Sequence, residues 1–285
     1  MPSASPHILL IGGHGKIAQF LTPLFLARSW NVTSLIRTPD QKATIEKLGQ
    51  GQPGKLNVKI SSLDDIQSEQ DAKKVLDDIE AGLALDWVVW SAGAGGRGGA
   101  SRTIAIDQTA AIAFTKASIS TPSIRKFLTV SYNGSRRGRA SWWSDSDYAS
   151  MQKVNTEILP TYYKAKIAAD EVLTVLAKKR YEDEVANGTP EKDRFCGIDL
   201  RPGTLRDGAK GGIALGKIGT QGKVSREVVA EVAVALLERE GARGWFDLLD
   251  GEEEVGSAVE RVVGGGVDCV EGEDFGDMEG RVAEL

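Results

Sequence analysis

Residues 7–18 read HILLIGGHGKIA, and this stretch decides the fold. His7 to Ile11 is a compact apolar run of β type that stops at Gly12-Gly13. From Lys16 to Ala27 the apolar residues Ile17, Phe20, Leu21 and Leu24 recur at helical spacing, with Pro23 favouring a kink or a late first turn. A strand, a glycine turn and a helix in that order form a phosphate-binding unit. Gly12 permits the tight turn, Gly15 lets backbone N–H groups approach a diphosphate, and Ala18 lets the helix lie close to the sheet. The opening helical turn adds partial positive charge. Gly12, Gly13, His14, Gly15, Lys16 and Ile17 are therefore the expected nucleotide-binding set.

Outward from this unit, short apolar runs keep alternating with longer amphipathic ones. Strands are expected at Asn31–Ile36, Leu56–Ile60, Asp86–Trp90, Lys126–Val130, Phe195–Leu200 and Trp245–Leu249. Helices are expected from Pro39 to Leu48, Ser68 to Ile79, Ser101 to Ile119, Leu159 to Lys179 and Ser225 to Glu238. Strands separated by helices pair in parallel through right-handed crossovers, which predicts an α/β, doubly wound, mostly parallel sheet of the Rossmann type. Two stretches read as irregular, Tyr132–Ser150 and Thr204–Lys223. The domain reading is one nucleotide-binding domain over residues 1–250, with a small substrate-side region at 204–223. Residues 251–285 read as an acidic C-terminal extension, either a peripheral helix or a partly ordered tail.

In such a sheet the ends of strands two, three and four face the nucleotide. Arg37 follows the second strand, where an acidic residue would bond a ribose 2′-OH and an arginine suits a 2′-phosphate. A guanidinium recognises phosphate through charge-assisted bonds, which favours NADP over NAD; a solvated arginine is the plainer alternative. Leu63 and Asp64, within Ser62-Leu63-Asp64-Asp65, stand where adenine is expected. Ser91, Ala92 and Gly93 begin a loop with glycines at 93, 95, 96, 98 and 99, backbone that can lie against a cofactor or form a flexible surface loop.

Composition narrows the class. With 35 basic against 40 acidic residues, net charge −5, the chain lacks the electrostatic footprint of a nucleic-acid binder. Cys196 and Cys269 form no CxxC pair and the two histidines are His7 and His14, too few ligands for a usual zinc site. No apolar run approaches the ~20 residues needed to span a bilayer, and the start does not read as a secretory signal. The expectation is a cytoplasmic protein with a small-molecule substrate, monomer or homodimer.

GGHGKIA at Gly12, SAG at Ser91, VS at Val130-Ser131, YYKAKIAADEVL from Tyr162, LRPGTL from Leu200 and VSREVVA from Val224 together carry a family resemblance. The chain resembles the short-chain dehydrogenase/reductase superfamily over about Ile8 to Leu249, and is most similar to the atypical branch of NmrA-like proteins and the biliverdin/flavin reductase group. The resemblance implies a catalytic pair with YxxxK spacing, Tyr162 and Lys166, on one helical face. Tyr162 would pass a proton to or from the substrate oxygen, Lys166 would hold the nicotinamide ribose, and Ser131 would polarise the carbonyl. Pro202, Thr204 and Leu205 would pass the nicotinamide carboxamide. The implied activity is NADP(H)-dependent reduction of a carbonyl or conjugated small molecule. The alternative is an NADP(H)-binding regulator of NmrA-like type. A nucleotide-sugar epimerase would need a larger C-terminal substrate domain than the residues after Leu205 supply. Asn133 to Trp143 holds Arg136, Arg137, Arg139, Trp142 and Trp143, which read as an anion-binding set or as a solvated basic loop.

Overall fold

Burial is complete along β1 (His7–Ile11), as an unbroken apolar run requires of a parallel strand covered on both faces. In the computed structural model, which describes residues 5–94 and 98–285, this strand sits inside an eight-stranded sheet. Parallel to it lie β2 (Asn31–Ile36), β3 (Leu56–Ile60), β4 (Trp87–Trp90), β5 (Lys126–Val130) and β6 (Cys196–Pro202). Of the remaining strands, β7 (Thr204–Arg206) and β9 (Lys223–Ser225) form a separate parallel pair. Strand β10 (Gly244–Gly251) pairs in parallel with β6, and β8 (Gly212–Leu215) adds an antiparallel edge to it. The sheet order is β3-β2-β1-β4-β5-β6-β10-β8, so the winding direction reverses between β1 and β4 and opens a crevice beyond their carboxyl ends. The expected doubly wound α/β fold is what the chain forms.

Each face of the sheet carries its own core. One holds α1 (Lys16–Ala27) and α8 (Arg226–Glu238), with Leu21, Phe25, Val229, Ala233 and Leu236 buried against Ile8, Leu10 and Leu128. The other holds α3 (Glu69–Glu80), α5 (Ala111–Ile119) and α7 (Pro160–Ala186), whose Leu76, Phe114, Ile167 and Val172 cover Leu9, Ile11 and Trp90. Each such large apolar side chain contributes about 1.5–3 kcal/mol of transfer free energy.

Several boundaries differ from the sequence reading, each for a local reason. Helix α1 keeps its expected bounds with Pro23 inside it, whereas the helix expected from Pro39 opens as a 3-10 turn, Pro39–Gln41, before α2 (Lys42–Leu48). The helix expected from Ser101 starts as α4 (Gly99–Thr103), widens to π geometry over Ile104–Ala110 and resumes as α5. Helix α7 starts at Pro160, a residue suited to the first helical position, and runs seven residues past Lys179. The extension is charged and carries the i,i+4 pairs Lys178–Glu182 at 3.0 Å and Arg180–Glu184 at 2.8 Å. Within the stretch read as irregular, α6 (Asp145–Lys153) forms behind a capping box, Ser144 Oγ accepting from the Asp147 amide at 3.1 Å. The second irregular stretch supplies β7, β8 and the start of β9, stabilised by pairing with distant strands rather than by local pattern. Beyond β10, α9 (Val255–Gly264) buries Ala258, Val259 and Val262, and α10 (Phe275–Ala283) buries Met278 and Val282.

Candidate nucleotide and active site

The glycine turn is held by contacts that leave no room for side chains. Gly12 has φ +83°, and a Cβ there would lie 2.7 Å from the Ala92 Cα at the end of β4. A Cβ on Gly13 would fall 1.9 Å from Ser34 Oγ, while the Gly13 amide donates to Leu35 O at 2.9 Å. Gly15 N–H closes the turn onto Gly12 O at 2.7 Å and caps α1 without any side-chain hydrogen bond. No acidic residue occupies the first turn of α1. The helix thus presents free amides and uncompensated positive potential at the crevice. Beneath them Ser34 Oγ is buried with no hydrogen-bond partner among the described residues. A glycine cradle, open amides and an orphaned hydroxyl fit a dinucleotide's diphosphate.

The other residues expected around this turn have separate roles. His14 is exposed and its carbonyl accepts from Gln19 Nε2 at 2.8 Å. Ile17 is buried in the α1 core, so its side chain serves packing. Lys16 reaches outward to Asp207 at 2.8 Å, and Asp207 also takes Arg226 at 2.7 Å. Arg37 is exposed just past β2 and makes no ion pair among the described residues; Gln41 Oε1 accepts from its amide at 3.0 Å. The neighbouring Asp40 carboxyl is held below the usual range by its Thr38 hydrogen bond first, then by the charges of His14 and Arg37. Leu63 is half-buried and Asp64 pairs with Arg102 at 3.1 Å. Ser91 N–H bonds Ile11 O at 3.0 Å, Ala92 backs Gly12, and Gly93 is exposed. Gly95 and Gly96 of that expected loop lie outside the described residues.

At the far end of the crevice, α7 brings a stripe of polar side chains against β5 and β6. Lys166 is 1% exposed and its Nζ donates to Val130 O at 3.2 Å. Tyr162, one turn earlier, lies with its ring 5.3 Å from that of Tyr132, and its hydroxyl makes no hydrogen bond among the described residues. Burial pushes the Tyr162 phenol up, and the carboxylates Asp107 and Asp170 push it further. Ser131 is buried, and its Oγ donates to Asp170 Oδ2 at 2.6 Å, so its proton is directed into the protein. Ser135 Oγ donates to the same oxygen. Pro202 is buried and its carbonyl accepts from Asn133 N–H at 3.2 Å; Thr204 is exposed and Leu205 half-buried, both on β7.

Two acidic residues of this site were not singled out from the sequence. Asp170 follows Lys166 by four, so Tyr162, Lys166 and Asp170 form one helical stripe, a signal that was readable. Asp107 gave no signal, because its position depends on the π segment. Behind the stripe Arg201 donates to Asp247 at 2.8 Å and lies 3.4 Å from Asp199 and 3.8 Å from Asp170. Burial pushes the Asp199 carboxyl well up, and nearby Asp170 adds to it.

Within the arginine and tryptophan loop, Arg136 and Trp143 are built into the fold, while Arg137 and Arg139 stay at the surface in ion pairs. Arg136 is fully buried and donates to Glu273 at 3.0 Å and to the carbonyls of Gly138, Cys269 and Glu271. Arg137 pairs with the buried Glu171 at 2.6 Å, and Arg139 with Asp145 at 2.7 Å. Both Trp142 and Trp143 donate to Ile218 O at 3.0 Å. The cause lies beyond the loop: residues 269–273 supply the acceptors that bury Arg136.

A doubly wound sheet with a glycine-floored, uncapped helix at its switch point defines a nucleotide-binding α/β protein. Residues 12–181 match the NAD(P)H-binding family model, and the chain belongs to that family. An uncharacterized sugar epimerase of Bacillus subtilis, YhfK, is 26% identical over 259 residues, covering 90% of this chain and 99% of that protein. A UPF0659 protein of Schizosaccharomyces pombe is 28% identical over 259 residues, 88% and 92% of the two chains. Among solved structures, the Lactococcus lactis oxidoreductase ylbE superposes with TM-score 0.64 at 16% identity, covering 90% of this chain and 97% of that one. The Escherichia coli reductase ChuY superposes with TM-score 0.56 at 19% identity over 87% and 98%. Among the described residues no helix is long and apolar enough to cross a membrane.

Proposed function

We propose that this chain is an NADP(H)-dependent oxidoreductase acting on a small carbonyl or conjugated substrate. The observation that carries the reading is the α1 N-terminus, open over Gly12, Gly13 and Gly15, with Ser34 Oγ beneath it unpartnered among the described residues. The diphosphate sits on those amides, and Arg37, unpaired among the described residues, takes the 2′-phosphate. The bound cofactor supplies hydride chemistry. Lys166 holds the nicotinamide ribose from its buried position and Tyr162 carries the proton that the substrate oxygen gains or loses. Pro202, Thr204 and Leu205 border the nicotinamide end.

A second reading, an NADP(H)-binding regulator with little turnover, draws on two features. The phenol of Tyr162 is pushed up by its surroundings, and the Ser131 proton is committed to Asp170. The two readings part on NADPH oxidation with a carbonyl, quinone or flavin, and on its loss in Tyr162→Phe. Cofactor choice is tested by calorimetry with NADPH and NADH on the wild type and on Arg37→Glu. Replacing the guanidinium by a carboxylate should weaken NADPH about tenfold to hundredfold, the worth of a charge-assisted phosphate bond, and leave NADH nearly unchanged. An unaltered NADPH preference in Arg37→Glu would falsify the 2′-phosphate assignment.

A further inference from the structure

Asp107 is a buried carboxylate at the rim of the crevice that the functional reading leaves unused. It lies in the π-widened turn between α4 and α5, a helical irregularity of the kind that re-aims side chains at functional sites. Its side chain is 2% exposed, and Oδ2 accepts from the Ala94 amide at 3.0 Å, tying the helix to the loop after β4. Oδ1 has no protein donor among the described residues and lies 3.0 Å from where a side chain on Gly93 would begin. Gly93 therefore keeps open the space in front of that oxygen. Among the described residues the titratable groups that act on Asp107 come from α7: the Lys166 ammonium stabilises its charge, and Asp107 in turn acts on the Tyr162 phenol. On α4, the helix that runs into this turn, Arg102 is paired with Asp64 at 3.1 Å.

We propose that Asp107 makes the crevice discriminate between the two redox states of its cofactor, favouring NADP+ over NADPH by placing a fixed negative charge at the nicotinamide end. This rests on the reading that the crevice holds a nicotinamide dinucleotide with its ribose on Lys166. The oxidised ring is a cation and the reduced ring is neutral, so a buried carboxylate acts on one and not the other. Both forms share the diphosphate, the ribose and the 2′-phosphate, so those contacts cancel in the ratio of affinities. The protein thereby reads the oxidation state of its ligand electrostatically, whether or not it turns over.

The test is the ratio Kd(NADPH)/Kd(NADP+), measured by calorimetry on the wild type and on Asp107→Asn, which keeps an acceptor for the Ala94 amide. The ratio should fall about tenfold in the variant, which is what one carboxylate–cation interaction amounts to across about 12 Å at an effective dielectric near 20. A second measurement needs no mutation. Burial pushes the Asp107 carboxyl up, against the opposing charge of Lys166, so lowering the pH shifts it towards its neutral form and lowers the wild-type ratio. Titration of the 2′-phosphate affects both ligands alike, and the NAD+/NADH pair, which lacks that group, should show the same trend. A ratio within twofold of wild type in Asp107→Asn, or no pH dependence in either pair, overturns the inference while leaving the crevice assignment intact. Absence of binding of both forms to the wild type overturns both.

Discussion

Replacing Gly12 by alanine tests the site at its tightest point. The substitution combines two costs. The first is left-handed backbone, φ +83° at Gly12, which costs a residue with a Cβ about 1–2 kcal/mol. The second is steric: the new methyl would stand 2.7 Å from the Ala92 Cα and 2.8 Å from its amide nitrogen, backbone atoms that cannot rotate away. Forced overpacking of this kind costs about 1–3 kcal/mol. Gly51 provides the control, since it has φ +73° and nothing within 4 Å of its would-be Cβ. Gly51→Ala carries the backbone cost alone. Urea denaturation should therefore give a loss of about 2–5 kcal/mol for Gly12→Ala and about 1–2 kcal/mol for Gly51→Ala. NADPH titration of the folded proteins should show at least about a tenfold loss for Gly12→Ala and none for Gly51→Ala, because moving the β4 loop away from the turn misaligns the α1 amides. Equal stability losses in the two variants, with NADPH affinity retained in Gly12→Ala, would refute the wedged-turn argument.

Two further substitutions probe the buried charges. Glu273→Ala leaves Arg136 fully buried with carbonyl partners but without its ion-pair partner, and should destabilise by about 3 kcal/mol, the lower end for a broken buried pair. NADPH affinity should stay within about twofold because the pair joins the 136–139 loop to residues 269–273; a weakened cofactor with unchanged stability would place that loop in the site after all. The Asp199 carboxyl, pushed up by burial and then by Asp170, favours its protonated form in the folded state, relative to 3.8 in the unfolded chain. The folded protein then binds more protons than the unfolded one above pH 3.8, so ionising Asp199 removes stability as pH rises through its raised value. Asp199→Asn, which cannot ionise, should gain stability relative to wild type between acidic and neutral pH when followed by urea unfolding; a difference that stays flat with pH refutes the assignment.

Local sequence was enough to set the strand-turn-helix unit at residues 7–27, the alternation that winds the sheet, and the stripe of Tyr162 and Lys166. Each of these follows from short-range rules: an apolar run must be buried, a left-handed turn requires glycine, and residues four apart share a helical face. The edge strand β8, the pairing of β7 with β9 and the capture of Arg136 were not legible, because each rests on partners many residues away. The Arg136–Arg139 segment shows the difference plainly. Its composition equally describes an anion site and a structural knot, and Glu273, 137 positions further on, decides between them.

From the amino-acid order alone came the fold class, the glycine turn between the first strand and the first helix, and the identity of the residue that follows β2. Only the folded chain decided that Ser131 turns its proton to Asp170 and that the charge of Lys166 acts on the buried Asp107. The physical reason is range. Backbone conformation and amphipathic faces are settled within a few neighbouring residues, whereas the protonation and direction of a buried polar group depend on every charge the tertiary structure gathers around it.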